Sequence, residues 1–432
     1  MNAIKANNTK EKVRQLQRSL YRSAKKGGRR YHALYDKVYR EDILLEAWKR
    51  VRANKGASGV DAMSIRDVET YGVEKFLKEI RKTLKNNNYK APPVKRVFIE
   101  KSDGSQRPLG IPTVRDRVIQ MATKLVIEPI YEADFKETSY GFRPKRSAKM
   151  ALETVRKACN NKGYYVIDAD IKSYFDNINH EKLMLLLEQR LSDRRILKLI
   201  RNWLKAGVLI SGQRESTEIG SAQGGVISPL CANIYLNVLD TLWEKHGKPY
   251  GKLVRYADDC VCICKNKKNA HHAMNLMRRI MKKLELELHP EKTKLVCMWD
   301  GKEGFDFLGM HHRSMMDEKN NGKRYRTTHQ YPSKGSMKKM RATIKEVLGK
   351  RNVLYKDVKS LVEEMNPKIR GWRNYYGLKT SRKWLQSIEW YMIRRFAIWY
   401  NKKKQKKNHL RKVSLVRKII YTNGLVSLSA VS

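Results

Sequence analysis

Asp258 and Asp259 stand side by side in LVRYADDCVCIC (residues 253–264), where two apolar, strand-forming runs meet with neither glycine nor asparagine to ease the bend. Adjacent carboxylates at a hairpin tip repel each other and strain the turn, so the pair calls for a neutralising cation. A solvated surface turn or an Asx turn would account for the bend. Neither accounts for the apolar strands, which would press the tip against a sheet. A second acidic strand end, VIDADIKSYFDNI (166–178), carries Asp168 and Asp170 on one face by the two-residue period of a strand. Three converging carboxylates are hard oxygen donors of the kind Mg²⁺ takes. Two such ions roughly 3.5–4 Å apart clamp the attacking and leaving oxygens of an in-line phosphoryl displacement.

The 432 residues leave room for two to four domain-sized units. Lys and Arg number 92 against 43 Asp and Glu, a formal charge of +49 that repels itself unless a polyanion is bound. Nucleic acid is the partner this implies. A protein lying on a membrane would gather its lysines on one amphipathic segment, whereas here they run from end to end. No apolar run reaches the roughly 18 residues of a membrane helix. The N-terminus has no apolar signal core, which predicts a cytoplasmic protein, although its Arg, Lys and Ser content is also that of an organellar transit peptide. The six cysteines fit neither zinc nor disulfide spacing, and Cys260, Cys262 and Cys264 share one strand face, so a reduced chain is expected. The pairs His271–His272 and His311–His312 point apart on any regular element and are read as packing or solvated residues. Acids suited to metal beside a polyanion partner point to nucleotidyl transfer.

Periodicity supplies the elements around these acids. Residues 10–26 predict a helix with Val13, Leu16 and Leu20 on one side and a basic stripe, Arg14, Arg18, Arg22 and Lys25, on another. That stripe suits phosphate contacts, a solvated face being the alternative. PPVKRVFIEKSDGSQRPLGIP (92–112) predicts a hairpin turning at Asp103–Gly104, with Lys101 and Arg107 flanking the bend. Residues 161–310 alternate strands and helices, an α+β layer, and beyond 330 only helices are expected. In SAQGGVISPL (221–230), Ser228 is expected to cap a helix that Pro229 starts. NKKKQKKNHLRK (401–412) is a basic run, in which Lys402, Lys403, Lys404, Lys406 and Lys407 suit backbone charge contacts.

YADD, DIKSYFD, SAQGGVISPL, HPEKTKLV and FDFLGM follow one another in the order of the palm motifs of reverse transcriptases. RANKGASGVDAMS resembles the N-terminal lid region, GSQRPLGIPTVRDRVIQMA and SYGFRP the fingers, and NPKIRGWRNYY the thumb of group II intron-encoded reverse transcriptases, also called maturases. The resemblance covers roughly residues 35–400. It implies an α+β right-hand polymerase fold with fingers, a ferredoxin-like palm and an α-helical thumb. The expected division is a basic N-terminal extension (1–40), fingers with lid (41–160), palm (161–315), helical thumb or maturase-specific domain (316–400) and basic C-terminal tail (401–432).

Carried over by motif, the resemblance makes Asp170 and Asp258 the principal ligands of two Mg²⁺ ions, which Mn²⁺ can replace. Asp259 is the third acid and the Ile171 carbonyl a further oxygen. Asp168 shares the face but not the motif position, and is expected to be structural, as is Asp176, a turn or cap residue. Phe175 matches the ring beneath the incoming sugar that disfavours a 2′-hydroxyl, a plain core aromatic being the alternative. Lys101 and Arg107 match the triphosphate-holding positions. Gln223 matches a nucleotide-contacting glutamine, although many relatives have proline where this chain has Ala222. Lys292 matches the proton donor to pyrophosphate, with Lys294 a possible substitute. The implied partners are group II intron RNA, an RNA template with DNA primer, deoxynucleoside triphosphates and a DNA target, in a monomer or dimer. With no paired C-x-x-C elements after the thumb, no HNH endonuclease is expected. The competing expectation is an RNA-binding splicing factor without polymerase activity, or a related enzyme co-opted for another role.

Overall fold

The helix Val114–Glu132 is buried on nearly every face, with Val118, Ile119, Ala122, Leu125 and Val126 fully enclosed. A helix apolar all round belongs in an interior. Thr113 starts it by accepting the Asp116 N–H at 3.1 Å. Around it, in this computed structural model, pack the helix Glu41–Ala53 and the first helix, Ala3–Lys25. The structure describes residues 3–100, 104, 106–210, 213–215, 224–319, 321–406, 410 and 412–430. The first helix packs its apolar side inward: Val13, Leu20 and Ala24 are buried, and Gln17 Nε2 donates to the Leu125 carbonyl at 3.0 Å.

Among the described residues the strands are β1 (Val94–Glu100), β2 (Gln106–Ile111), β3 (Tyr165–Ala169), β4 (Val208–Ile210), β5 (Gln213–Glu215), β6 (Lys252–Tyr256), β7 (Asp259–Cys264), β8 (Lys294–Cys297), β9 (Gly304–Phe307), β10 (Met310–Glu318) and β11 (Arg324–Pro332). They form three sheets, ordered β2-β1-β4-β5, β6-β7-β3-β8 and β11-β10-β9. Among these described strands β1 and β4 pair in parallel and the other neighbours antiparallel. The expected hairpin is β1–β2, with Gly104 at φ +81° in its turn.

The β6-β7-β3-β8 sheet carries both acidic strand ends, and its residues alternate between two cores. Ile167, Leu253, Cys260 and Cys262 face the large core with the helices Ser228–Leu242 and Lys267–Lys283. Val166, Val254, Val261 and Ile263 face the helix Ala148–Asn160 and the three-stranded sheet. Cys260, Cys262 and Cys264 do share one buried face.

Three expectations need correction. The segment from 316 is not helical at once, because β10 and β11 carry the chain to Pro332 as strand. Its buried side is polar, with Ser314, Thr328 and Gln330, so apolar alternation does not announce it. Helices follow at Lys334–Gly349, Val358–Tyr376, Arg382–Lys403 and Val413–Thr422. The residues from 401 are not merely a basic tail, since Val416, Ile420, Leu425 and Leu428 join the core of those helices. Ile227, not Ser228, takes the cap position of the helix Ser228–Leu242, whose first turn contains Pro229. No helix among the described residues is long and apolar enough to cross a membrane.

Candidate active site

Tyr256 pairs with Asp259 across β6 and β7, leaving Ala257 and Asp258 as a two-residue turn. Ala257 sits at φ +59°, a left-handed conformation that costs a residue with a Cβ on the order of 1–3 kcal/mol. The neighbouring pair Ala169–Cys260 is the last to join β7 to β3, and Asp170 follows it just past the end of β3, near enough for its charge to act on Asp259. Two chain bends thus bring the YADD turn to the end of the DIKSYFD strand.

The turn after the helix Lys267–Lys283 secures Asp170. Its carbonyl accepts the His289 N–H at 2.7 Å, and Ile171, which is buried, bridges to Leu288. On the same turn Lys292 Nζ lies 3.3 Å from Asp170 Oδ2. The surrounding chain strips water from Asp259, and the charges of Asp258 and Asp170 add to this, so its carboxyl is pushed up to about 6. Asp168, opposite Lys294 on β8, is pushed up to about 7, first by burial and then by the charges of Asp259, Asp306 and Asp170. The donors are all hard oxygens and they repel one another, which fits a divalent cation. Among the described residues, no three His, Cys, Asp or Glu side chains are drawn close enough to hold an ion.

Phe175 is half-buried, its ring 5.3 Å from that of Tyr174, whose hydroxyl donates to the Ala232 carbonyl at 2.6 Å. Asp176 falls in the short 3-10 turn Tyr174–Asn177. Lys101, Gln223 and Lys407 lie outside the described residues; Arg107 is in β2, its backbone paired with Ile99.

Beside Asp168, between the β8–β11 strands and the helix Lys334–Gly349, is a cavity of about 750 Å³. Lys294, Lys302, Arg313, Lys334 and Arg341 line it, with Tyr331 and Trp384 stacked at 3.7 Å between ring centroids. On the first helix Arg14, Arg18 and Arg22 are exposed, while Lys25 Nζ donates to the Ala133 carbonyl at 3.3 Å. Lys402, Lys404 and Lys406 are exposed. Lys403, also exposed, bonds the Tyr355 and Lys356 carbonyls and lies over the Trp399 ring. Of the paired histidines, His312 is buried and stacks on Phe305, His272 stacks on Tyr250, His311 Nδ1 meets Asp306 at 2.6 Å, and His271 is exposed.

Two residues near the site are not signalled by the sequence pattern. Gln120 Oε1 accepts the Val226 N–H at 2.9 Å, tying down the chain just after Gly224–Gly225. Arg255, buried on β6, pairs with buried Asp240. Burial lowers the guanidinium pKa, but the Asp240 charge and hydrogen bonds outweigh it and the net shift is upward.

Residues 99–312 match the family described as "Reverse transcriptase (RNA-dependent DNA polymerase)", and residues 337–418 match "Group II intron, maturase-specific domain". Protein YkfC of Escherichia coli (strain K12) is 36% identical over 311 residues, which are 63% of this chain and 80% of that protein. The group II intron-encoded protein LtrA of Lactococcus lactis subsp. cremoris is 40% identical over 208 residues. The chain belongs to the group II intron-encoded reverse transcriptases. Its α+β fold is the reverse transcriptase fold, and family membership makes it an RNA-directed DNA polymerase. The acids of β3 and β7 fall inside the reverse transcriptase match, and the terminal helices overlap the maturase-specific one. This reverse transcriptase covers 48% of its own length in the LtrA match but only 34% of LtrA.

Proposed function

We propose that this protein copies RNA into DNA by two-metal nucleotidyl transfer and binds its parent group II intron RNA to promote splicing and mobility. The observation that supports the reading is the Ala169–Cys260 pair at the end of β3 and β7, next to which Asp170 follows on one strand and Asp259 precedes on the other, inside the reverse transcriptase domain.

Asp170, Asp258, Asp259 and the Ile171 carbonyl are the residues that would hold Mg²⁺ or Mn²⁺. Held there, such ions would supply positive charge to the primer 3′-oxygen as it attacks and to the pyrophosphate as it leaves. Phe175 bounds the sugar pocket and disfavours a ribonucleotide by crowding its 2′-hydroxyl. Lys101 and Arg107 draw in the triphosphate, the arginine by bidentate contact, and Gln223 contacts the nucleotide. Lys292, beside Asp170, is the proton donor to the leaving pyrophosphate oxygen.

The cavity lined by Lys294, Arg313 and Arg341 suits a nucleic-acid backbone leaving the site, with Tyr331 and Trp384 offering apolar faces. Arg14, Arg18, Arg22 and Lys402–Lys406 add phosphate contacts for the intron RNA. Deoxynucleoside triphosphates, an RNA template with DNA primer and a DNA target complete the partners of a cytoplasmic ribonucleoprotein.

The test is extension of a DNA primer on an RNA template in Mg²⁺. Wild type extends it, and Asp258→Ala falls by at least about 10²-fold while keeping its RNA affinity. Equal extension by Asp258→Ala would refute the site. RNA binding without extension by wild type would leave the splicing-factor reading standing.

A further inference from the structure

The YADD turn is held from behind. Arg255 is fully buried, two residues before Ala257, the first residue of the turn, and each of its five guanidinium N–H groups has a place. Nε lies 3.1 and 3.2 Å from the two Asp240 carboxylate oxygens, and Nη2 reaches the same carboxylate. Nη2 also donates to Ser139 Oγ at 2.9 Å, and Nη1 to Asn233 Oδ1 at 3.0 Å. The remaining Nη1 bond, 2.8 Å, goes to the carbonyl of Ala257. That carbonyl belongs to the peptide that delivers Asp258.

A second contact closes on the same turn. The Arg255 backbone pairs with the SYGFRP loop, donating to the Thr138 carbonyl at 2.8 Å and accepting from Tyr140 at 2.9 Å. The loop is itself fixed to the helix Ser228–Leu242: Thr138 Oγ1 donates to Asp240 at 2.9 Å, and Asn233 Nδ2 donates to the Gly141 carbonyl at 2.8 Å. This presses Gly141 against the turn so closely that a Cβ there would collide with the Ala257 nitrogen and lie 2.9 Å from the Tyr256 carbonyl carbon. Ala257 needs such support, because its left-handed backbone is unfavourable by itself.

A buried ion pair is seldom the most stabilising filling for such a space, apolar residues of equal volume often doing as well or better. The geometry therefore points to a different use. We infer that Arg255 and Gly141 are positioning residues: the guanidinium, locked on Asp240 and Asn233, orients the Ala257 carbonyl from one side while the SYGFRP loop forms a floor on the other. Together they aim the Asp258 carboxylate. The inference rests on the reading of Asp258 as a metal-binding acid.

The experiment uses the full-length protein and two variants. Asp240→Leu/Arg255→Met removes the pair without stranding a charge, and Gly141→Ala leaves the pair intact but intrudes on the turn. Single-nucleotide incorporation is titrated with Mg²⁺ and then Mn²⁺, alongside thermal unfolding and primer–template affinity. Residues that orient metal ligands are worth about 10–100-fold in metal affinity. Both variants are thus expected to need about tenfold or more extra Mg²⁺ for half-maximal rate, with Mn²⁺ recovering part of the loss and primer–template affinity kept. A folded variant of either kind with the wild-type Mg²⁺ requirement, whatever its maximal rate, overturns the inference. If the double variant does not fold, Gly141→Ala decides alone. An Asp258→Ala control that still extends primers would sink the underlying site reading instead.

Discussion

Lys292 Nζ stands 3.3 Å from Asp170 Oδ2, on a turn that also bonds the Asp170 carbonyl through the His289 N–H. The proposed proton donor and the proposed metal ligand thus meet through one short segment, residues 289–292.

If Lys292 supplies the pyrophosphate proton, Lys292→Ala lowers the rate of single-nucleotide incorporation by about 10²-fold or more, within the range of general acid catalysis. Lys292→Arg keeps the charge beside Asp170 yet gives up its proton poorly, so it is expected to resemble the alanine variant. Rapid-quench kinetics at saturating nucleotide measure both, and an arginine variant with wild-type rate would make the residue an electrostatic partner only.

Phe175 is half-buried against Tyr174, and the proposed function makes it the ring that bounds the sugar pocket. Phe175→Ala opens space for a 2′-hydroxyl, and the preference for deoxynucleotides over ribonucleotides is expected to fall by about 10–100-fold. Comparing kcat/KM for the two nucleotides on one template tests this. Unchanged discrimination would return Phe175 to the core.

The turn and the strand end were legible because their information is local. A period of two puts Asp168 and Asp170 on one face, and an apolar run on each side of Ala257–Asp258–Asp259 forces a hairpin there. Arg255 was not legible. In LVRY it reads as the polar member of a strand, and only pairing with Ser139 and the approach of Asp240, 15 residues away, bury it. The same limit hid β11, whose buried Gln330 is satisfied by the Leu152 carbonyl 178 residues distant. It also hid the core role of Val416 and Ile420, which the basic run before them masks. What a residue does across the fold depends on partners that spacing does not name.

His312 tests the pH response of the three-stranded sheet. It is fully buried against Phe305, and burial, helped by the neighbouring His311, lowers its pKa to about 3 although Asp306 opposes the shift. The unfolded chain titrates near 6.5 and the folded one near 3, so the unfolded state takes up a proton first as the pH falls. Stability is full above pH 6.5 and drains away below it. At pH 5 the loss is about 2 kcal/mol relative to pH 8. Urea denaturation of His312→Phe at the two pH values should lack that increment.

Asp168 has the opposite sign. Its folded carboxyl titrates near 7 against an ordinary 3.8, so the native state holds the proton longer and stability declines as the pH rises through that interval. Asp168→Asn removes the decline. The variant is expected to match wild type at pH 4 and to exceed it at pH 8 by on the order of 1–3 kcal/mol, with primer extension retained. Loss of extension would promote Asp168 from a structural acid to a working one.

The most direct measurement counts metal. Mn²⁺ binding to the complex of protein, chain-terminated primer, RNA template and matching deoxynucleotide can be followed by electron paramagnetic resonance. The account predicts two ions on wild type, with the count reduced in both Asp170→Asn and Asp258→Asn. Full occupancy in either variant, or none in wild type, would contradict it.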